Sequence, residues 1–361
     1  MISQTKGDLR VLSMQDYDVS FGSAGASLRK ILDQQKYSQR VIIVDEHTRQ
    51  HCLSILDKNL YDHIIEIPSG ERHKTIATCE QIWATMAEYG CDRHSLVIDL
   101  GGGVIGDMGG YAASCYMRGI DFIQVPTTLL SQVDASVGGK LGVDFKGYKN
   151  FIGLFAHPRA VCVDPSFLKT LPYHELRSGY AEMIKHALIS DRDSWIRLTT
   201  ATDWTSNASA EEIATSVGIK RQVVLDDPKE RGRRKILNYG HTIGHAIETL
   251  SFAHDRPYLH GEAIAIGMVA EAYLSHHACK LSARQLDEIT EYIRGVYDDL
   301  PVHHLDHVKE IKMLMKKDKK NRDGSILFSL LTEIGSAIHD IEVSDAAIGD
   351  ALSYAQSTWL T

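Results

Sequence analysis

A short β-branched run, Ser95-Leu-Val-Ile-Asp-Leu100, opens directly into Gly101-Gly-Gly103-Val-Ile-Gly106-Asp107. A strand that ends in G-x-G-x-x-G predicts a tight turn into a helix. Its bare backbone can approach a pyrophosphate and aim N–H groups at it. Without a ligand the same stretch is simply a strand-to-helix turn, so the motif constrains the chain path before it constrains a function. An earlier run, Arg40-Val-Ile-Ile-Val-Asp45, has the same strand character and ends in a carboxylate. With helix-like segments alternating between such runs, the first half follows the grammar of a βαβ nucleotide fold. The acid expected about 20 residues past the glycines, to hold a ribose, is Asp121, and Asp45 competes for that role.

After about residue 170 the strand signals thin out. Segments 176–190, 208–226, 240–251, 261–280 and 284–297 carry helical patterning instead. A chain of 361 residues is long enough for two domains. The expected architecture is a Rossmann-like α/β domain over 1–170 followed by a mostly α-helical domain over 171–361. The boundary near Thr170-Leu171-Pro172 rests on the change of pattern alone, and the site is expected in the cleft between the two.

A net charge of −8 without a long basic run argues against nucleic acid or a membrane surface as the partner. Six cysteines (Cys52, Cys79, Cys91, Cys115, Cys162 and Cys279) are scattered without a CxxC pair, and the N-terminus shows no apolar signal core. No apolar run reaches the ~18 residues of a membrane span. These features predict a soluble, cytoplasmic protein with reduced thiols.

The second half carries the reactive side chains. His241 and His245 stand one helical turn apart in Asn238-Tyr-Gly-His-Thr-Ile-Gly-His245, and His260-Gly-Glu262 follows. Three nearby histidines suggest a metal or proton-transfer site, with the i,i+4 pair as the simplest ligand choice. Glu182 and Lys185 share a helical face beside the apolar stripe Ala181, Ile184 and Leu188, so Glu182 is a further candidate ligand. Lys220 falls on the stripe Ile213, Val217 and Val224. Its ammonium is either snorkelling or turned toward an anion site, where Arg234, Lys185 and the lysines of Asp318-Lys-Lys320 would join it. In the first half, Pro126-Thr-Thr128 through Asp134 to Lys140, with Lys149-Asn150 beyond, offers hydroxyls, glycines and lysines able to hold a phosphate.

Taken together these segments resemble one family. Gly101 to Asp107, Arg118-Gly119, Pro126-Thr-Thr128, Asp134 to Lys140, Lys149-Asn150, Ala181-Glu-Met-Ile-Lys185, Leu237 to His245 and Leu259-His-Gly-Glu262 look like the 3-dehydroquinate synthases. The match runs in order from about Asp45 to Lys320. The resemblance implies a sugar-phosphate cyclase of the shikimate pathway, with an N-terminal NAD-binding domain and a metal-binding helical domain. It would use NAD and a divalent metal, commonly zinc or cobalt, and act as a homodimer.

By motif, the resemblance makes Glu182, His241 and His260 the metal ligands. His245 then moves from ligand to proton transfer, together with Glu230. For NAD it points to Asp45 rather than Asp121, and to Glu71, Lys74, Gly101, Gly102, Gly103, Asp107, Thr127, Thr128, Lys149 and the segment Phe167, Leu168, Lys169, Thr170. Substrate contacts fall to Asp134, Lys140, Asn150, Lys185, Lys220, Arg234, Asn238 and Lys319, with Arg118 reaching across a dimer interface. Of these, Lys140, Lys185, Arg234 and Asn238 also count among the catalytic residues. Two departures from the family pattern stand out. Cys115 lies in the segment before Tyr116-Met-Arg118, and Arg233 precedes Arg234 where an apolar residue is common.

The implied reaction converts 3-deoxy-D-arabino-heptulosonate 7-phosphate to 3-dehydroquinate and phosphate. An alcohol is oxidised transiently by hydride transfer to NAD, phosphate is eliminated, the hydride returns, and an opened ring closes by an intramolecular aldol. Three readings compete: a sister sugar-phosphate cyclase, a net oxidoreductase of the glycerol or iron-type alcohol dehydrogenase group, and a non-enzymatic NAD-binding protein. A dehydrogenase would accumulate NADH and gives no reason for the cluster of lysines and arginines.

Overall fold

A computed structural model of the chain describes residues 10–146, 148–253, 256–316 and 326–360. The chain divides into two compact units. One takes in the residues up to Leu176 together with Ala208–Arg221, and the other Arg177–Asn207 together with the residues from Gln222 onward.

The first unit is built on a sheet in which, among the described residues, seven strands run in the order β1-β2-β9-β6-β5-β3-β4. They are β1 (Arg10–Ser13), β2 (Asp18–Phe21), β3 (Arg40–Val44), β4 (His63–Glu66), β5 (Leu96–Gly101), β6 (Asp121–Pro126) and β9 (Ala160–Val163). β1 pairs antiparallel with β2, and the other pairings are parallel. Helices α1 (Ala24–Gln34), α2 (Glu46–His51), α3 (Ile76–Glu88) and α4 (Gly103–Cys115) connect the strands. A separate antiparallel hairpin, β7 (Lys140–Phe145) and β8 (Tyr148–Phe155), follows β6 in the chain.

The largely apolar central strands reflect burial on both faces of a parallel sheet. Val41, Ile43 and Val97 belong to one core cluster, with Met108 and Ala112 of α4. Their neighbours Ile42, Val44, Leu96 and Ile98 belong to another, with Leu28 of α1 and Phe167. Strand pleating sends alternate side chains to opposite faces, and two cores are the result.

The second unit is mainly helical: α5 (Tyr173–Ser190), α6 (Arg192–Thr199), α8 (His241–Ser251), α9 (His260–Cys279), α10 (Ala283–Val296), α11 (Val308–Lys316) and α12 (Asp345–Leu360). α7 (Ala210–Asp226) belongs through Arg221 to the first unit. These spans agree with the five helical segments expected between residues 176 and 297. One feature lies outside the helices of this mostly α-helical unit. A hairpin, β10 (Leu327–Glu333) and β11 (Ser336–Glu342), packs its buried Leu330 and Leu331 in this unit. Helix α9 is buried almost continuously from Gly261 to Ser275 and packs on α8, α10, α12 and β10. α8 and α9 approach so closely that a Cβ on Gly267 would lie 2.0 Å from the carbonyl oxygen of Gly240. The start of α8 therefore lies against the third turn of α9, and Gly244 of α8 lies against Ala263 and Ile264 near the start of α9.

Candidate active site

In the first unit, the glycine run forms the expected turn. β5 ends at Gly101, Gly102 is the N-cap of α4, and the helix begins at Gly103. The backbone N–H of Thr127 donates to the carbonyl of Gly101 at 3.0 Å, so the glycine turn and the Pro126-Thr-Thr128 loop are tied together. Thr128 and Ser131 then close the loop reciprocally, each accepting the other's N–H through its hydroxyl. These glycines, Asp107, Gln124, Ser131 and Ser136 line one narrow recess.

The two candidate ribose acids lie at opposite ends of the sheet. Asp121 pairs beside Leu96 at the start of β5, five residues from Gly101, and accepts from Gln35 and the hydroxyl of Tyr37. Asp45 follows directly on β3, at the same end as the glycine turn, and caps α2 by accepting from the N–H of Thr48 at 2.7 Å. A distance rule along the sequence cannot separate these ends, whereas parallel register does. Beyond β9, a short helical turn, Pro165–Thr170, carries Phe167 buried in the core and Lys169 and Thr170 exposed.

Lys74 is the electrostatic centre of this unit. It is almost fully buried, and its Nζ donates to Asp107 Oδ2 and to Asn150 Oδ1, each at 2.6 Å, with Glu71 at 3.9 Å. Burial opposes its charge, but Asp107 and Glu71 outweigh burial and raise it above the ordinary lysine range. Lys220, on α7, is buried as its apolar stripe predicts, and its Nζ donates to the carbonyl and to Oδ1 of Asp134 at 2.6 and 2.8 Å. Lys140 is exposed at the start of β7, and Lys149 lies on β8. Arg118 is exposed just past α4.

The second unit gathers the histidines. Glu182 is fully buried on α5, and its Oε2 accepts from Lys185 one turn along. Its Oε1 has no hydrogen-bond partner, and Nε2 of His241 and Nε2 of His260 face it at 3.4 and 3.5 Å. An orphaned buried carboxylate oxygen between two imidazole nitrogens fits the donor set of a divalent metal with positions left for other oxygens. His245 is half-buried, with ring centroids 5.0 Å from His241 and 5.7 Å from His260. A three-histidine grouping therefore also exists geometrically. It leaves the orphaned oxygen of Glu182 unexplained.

The local electrostatics follow from burial and charge. Burial and the Lys185 ammonium push His241 down to about 4. Burial pushes His260 the same way, but the carboxylates of Glu182 and Glu248 outweigh it and lift the ring to about 9. Glu182 stays well below the usual carboxylate range because Lys185 and His241 overcome its burial.

His241 opens α8 behind Gly240, whose φ of +79° is the left-handed conformation that suits glycine. A buried carboxylate, Glu271 of α9, accepts from the N–H groups of Gly240 at 2.6 Å and Ile243 at 3.1 Å. It satisfies the helix N-terminus that carries the histidines.

The preceding loop is organised by Asp227, whose carboxylate accepts from the N–H groups of Arg231, Gly232 and Arg234. Arg234 is buried and donates to the carbonyl of Pro228 at 2.7 Å, whereas Arg233 is exposed and pairs with Asp226. Asn238 donates to Glu230 Oε1 at 2.9 Å. Lys319 lies outside the described residues, with its neighbours Asp318 and Lys320.

Among the described non-glycine residues, seven take a positive φ, and Arg118, Asn150 and Glu230 are three of them. Left-handed backbone at a non-glycine residue costs on the order of 1 kcal/mol and persists where the surroundings require it.

The family model described as 3-dehydroquinate synthase N-terminal matches residues 64–178, and the one described as 3-dehydroquinate synthase C-terminal matches residues 179–321. The chain belongs to the 3-dehydroquinate synthase family. A 3-dehydroquinate synthase of Parabacteroides distasonis is 40% identical over 334 residues, covering 91% of this chain and 94% of that protein. Among solved structures, 2-epi-5-epi-valiolone synthase from Streptomyces hygroscopicus subsp. jinggangensis, with NAD+ and Zn2+ bound, is 27% identical. It has a TM-score of 0.83 and covers 96% of this chain and 98% of that one. A 2-deoxy-scyllo-inosose synthase complexed with carbaglucose-6-phosphate, NAD+ and Co2+ shares the fold at 23% identity, with a TM-score of 0.81 over 96% of this chain and 99% of that one.

For a 3-dehydroquinate synthase family member, sequence reasoning missed the supporting carboxylates Asp227, Glu248 and Glu271. Glu248 carried a readable signal, since it lies seven residues from His241 and three from His245, on their helical face. Glu271 sits within an apolar run and had none.

Proposed function

We propose that this protein is a 3-dehydroquinate synthase, a phosphate-eliminating cyclase that turns 3-deoxy-D-arabino-heptulosonate 7-phosphate into 3-dehydroquinate. The observation that carries the reading is the convergence of His241 and His260 on the orphaned carboxylate oxygen of Glu182, in a chain of this family. NAD and a divalent ion, zinc or cobalt, supply a hydride acceptor and a Lewis acid for the substrate hydroxyl.

The remaining work belongs to the protein's own side chains. Glu182, His241 and His260 hold the metal, which leaves His245 to move a proton beside it. Glu230, held by Asn238, is the second proton-transfer group. Asp45 receives a ribose at the end of β3, while Gly101, Gly102 and Gly103 present N–H groups to the pyrophosphate. Glu71, Lys74, Asp107, Thr127, Thr128, Lys149 and Phe167 to Thr170 complete the NAD set. Arg234, Lys185, Lys220 and Lys140 bring cationic donors for the substrate's carboxylate and phosphate, and Asp134, Asn150 and Asn238 orient its hydroxyls. Lys319 joins them by motif alone.

The protein acts as a homodimer in which Arg118 reaches the partner's substrate. Support comes from the exposed Arg118 and from Phe151 and Phe155, which stand 48% and 54% exposed on one edge of the β7–β8 hairpin. A cytoplasmic location fits six free cysteines, and no helix among the described residues is long and apolar enough to cross a membrane.

The test mixes metal-loaded protein and substoichiometric NAD with the heptulosonate phosphate, and follows phosphate, NADH absorbance and carbocyclic product together. Many turnovers of phosphate and dehydroquinate without NADH build-up are expected. Steady NADH accumulation would favour a dehydrogenase. Turnover only with another sugar phosphate would favour a sister cyclase.

A further inference from the structure

We propose that Glu248 is a positioning residue for the metal centre, gripping the outer nitrogen of His260 so that the inner nitrogen faces the ion. The inference rests on the metal-site reading above and adds a residue to which that reading gives no role.

The two ligand histidines are oriented in the same sense. Each turns Nε2 toward Glu182 Oε1, at 3.4 Å for His241 and 3.5 Å for His260. Each turns Nδ1 toward an acceptor. For His241 it is the carbonyl of Tyr239 at 3.1 Å, and for His260 it is Oε2 of Glu248 at 3.6 Å. A metal-ligating imidazole is neutral, with one N–H and one lone pair, and an acceptor at Nδ1 keeps the proton there and leaves the lone pair at Nε2. The separation of 3.6 Å is an ion-pair distance, just beyond hydrogen-bond length.

Glu248 is itself buried, with a side chain 6% exposed, on the helix that carries His241 and His245. A carboxylate in that position is costly to desolvate unless it has polar partners. As partner of a metal-bound histidine it has a reason. It sharpens the basicity of the imidazole, fixes the ring plane, and supplies a second negative charge beside Glu182 for a divalent cation. The carbonyl that serves His241 cannot supply charge, so the two histidines are held by unequal partners. His260 begins its helix and has no preceding turn of α9 to brace it, which makes the side-chain partner the more consequential of the two.

The experiment titrates metal-free wild-type protein, Glu248→Gln, Glu248→Ala and Glu182→Gln with Co(II) in competition with a chelator. It reads the visible d–d absorption and the Kd, with NAD binding and thermal melting of the metal-free proteins alongside. Wild type should bind one Co(II), and Glu182→Gln should lose it. Glu248→Gln keeps the shape and an amide acceptor, and should weaken Co(II) about 10-fold and shift the absorption. Glu248→Ala should weaken it up to about 100-fold. NAD affinity should be unchanged. Equal Co(II) affinity and spectra in wild type and both Glu248 variants would overturn the proposal while leaving the metal site intact. Failure of wild type to bind Co(II), or its retention by Glu182→Gln, would remove the metal-site reading and this inference with it. If Glu248→Ala melts below the working temperature, the glutamine variant decides the outcome.

Discussion

The ammonium of Lys74 lies 2.6 Å from Oδ2 of Asp107, in a site where the lysine side chain is 4% exposed. The pair joins the chain just before α3 to the first turns of α4, the helix that starts at the glycine run. Removing the cation leaves a carboxylate largely out of water, so Lys74→Met should destabilise the protein by about 3 kcal/mol. It should also weaken NAD binding, while Lys74→Arg keeps more of both. Denaturant unfolding and NAD titration on the same preparations check this.

Arg234 and Arg233 are adjacent in sequence and unlike in surroundings. Arg234→Ala should lower kcat/KM by about 10–100-fold through lost charge-assisted contacts to substrate. Arg233→Ala removes an exposed pair with Asp226 and should cost less than about 1 kcal/mol in stability. Its effect on turnover should be small. Equal kinetic losses in the two variants would remove Arg234 from the substrate site.

Stripping the metal should abolish turnover and leave the fold, since Lys185 still holds one oxygen of Glu182. Activity should return on adding Zn(II) or Co(II). Glu182→Gln should not recover, because a neutral amide between His241 and His260 is a poor ligand for a divalent ion. Activity after dialysis against a chelator, with circular dichroism as the control, gives the answer.

Desolvation raises the Asp227 carboxylate, but the N–H groups of Arg231, Gly232 and Arg234 together outweigh it and hold the group below its ordinary range. A depressed folded-state value means the stabilisation is present above the unfolded carboxylate range. It is lost as pH falls through the folded value. Asp227→Asn should therefore be less stable than wild type near neutral pH, and the difference should shrink in acid. It should also raise KM by loosening the loop that carries Arg234. Melting curves across pH, paired with kinetics, test both parts.

Much of the architecture could be read from sequence because periodicity and burial coincide. The runs at Arg40–Val44 and Leu96–Gly101 are mainly apolar, with Arg40 and the buried Asp99 as exceptions, as parallel strands buried on both faces tend to be. Lys220 could be read as inward because it shares a stripe with Ile213, Val217 and Val224, and the structure buries all four. The proposed ribose acid, Asp45, could not be chosen by spacing, since Asp121 satisfies a count along the chain yet sits at the far end of the sheet from Gly101. The β10–β11 hairpin, late in a helical region, also escaped notice. The supporting carboxylates were harder still: Glu271 acts on Gly240 and Ile243, some thirty positions earlier in the chain. Nothing local in an apolar helix advertises such a partner.

The left-handed backbones at Arg118, Asn150 and Glu230 set a limit on how this protein can become more robust. Glycine is the residue that relaxes such a backbone, and it is also the one with no side chain to offer. Each replacement by glycine would relieve local strain and delete a guanidinium, an amide or a carboxylate. Under the proposed function, heat tolerance gained at these three places is therefore set against turnover.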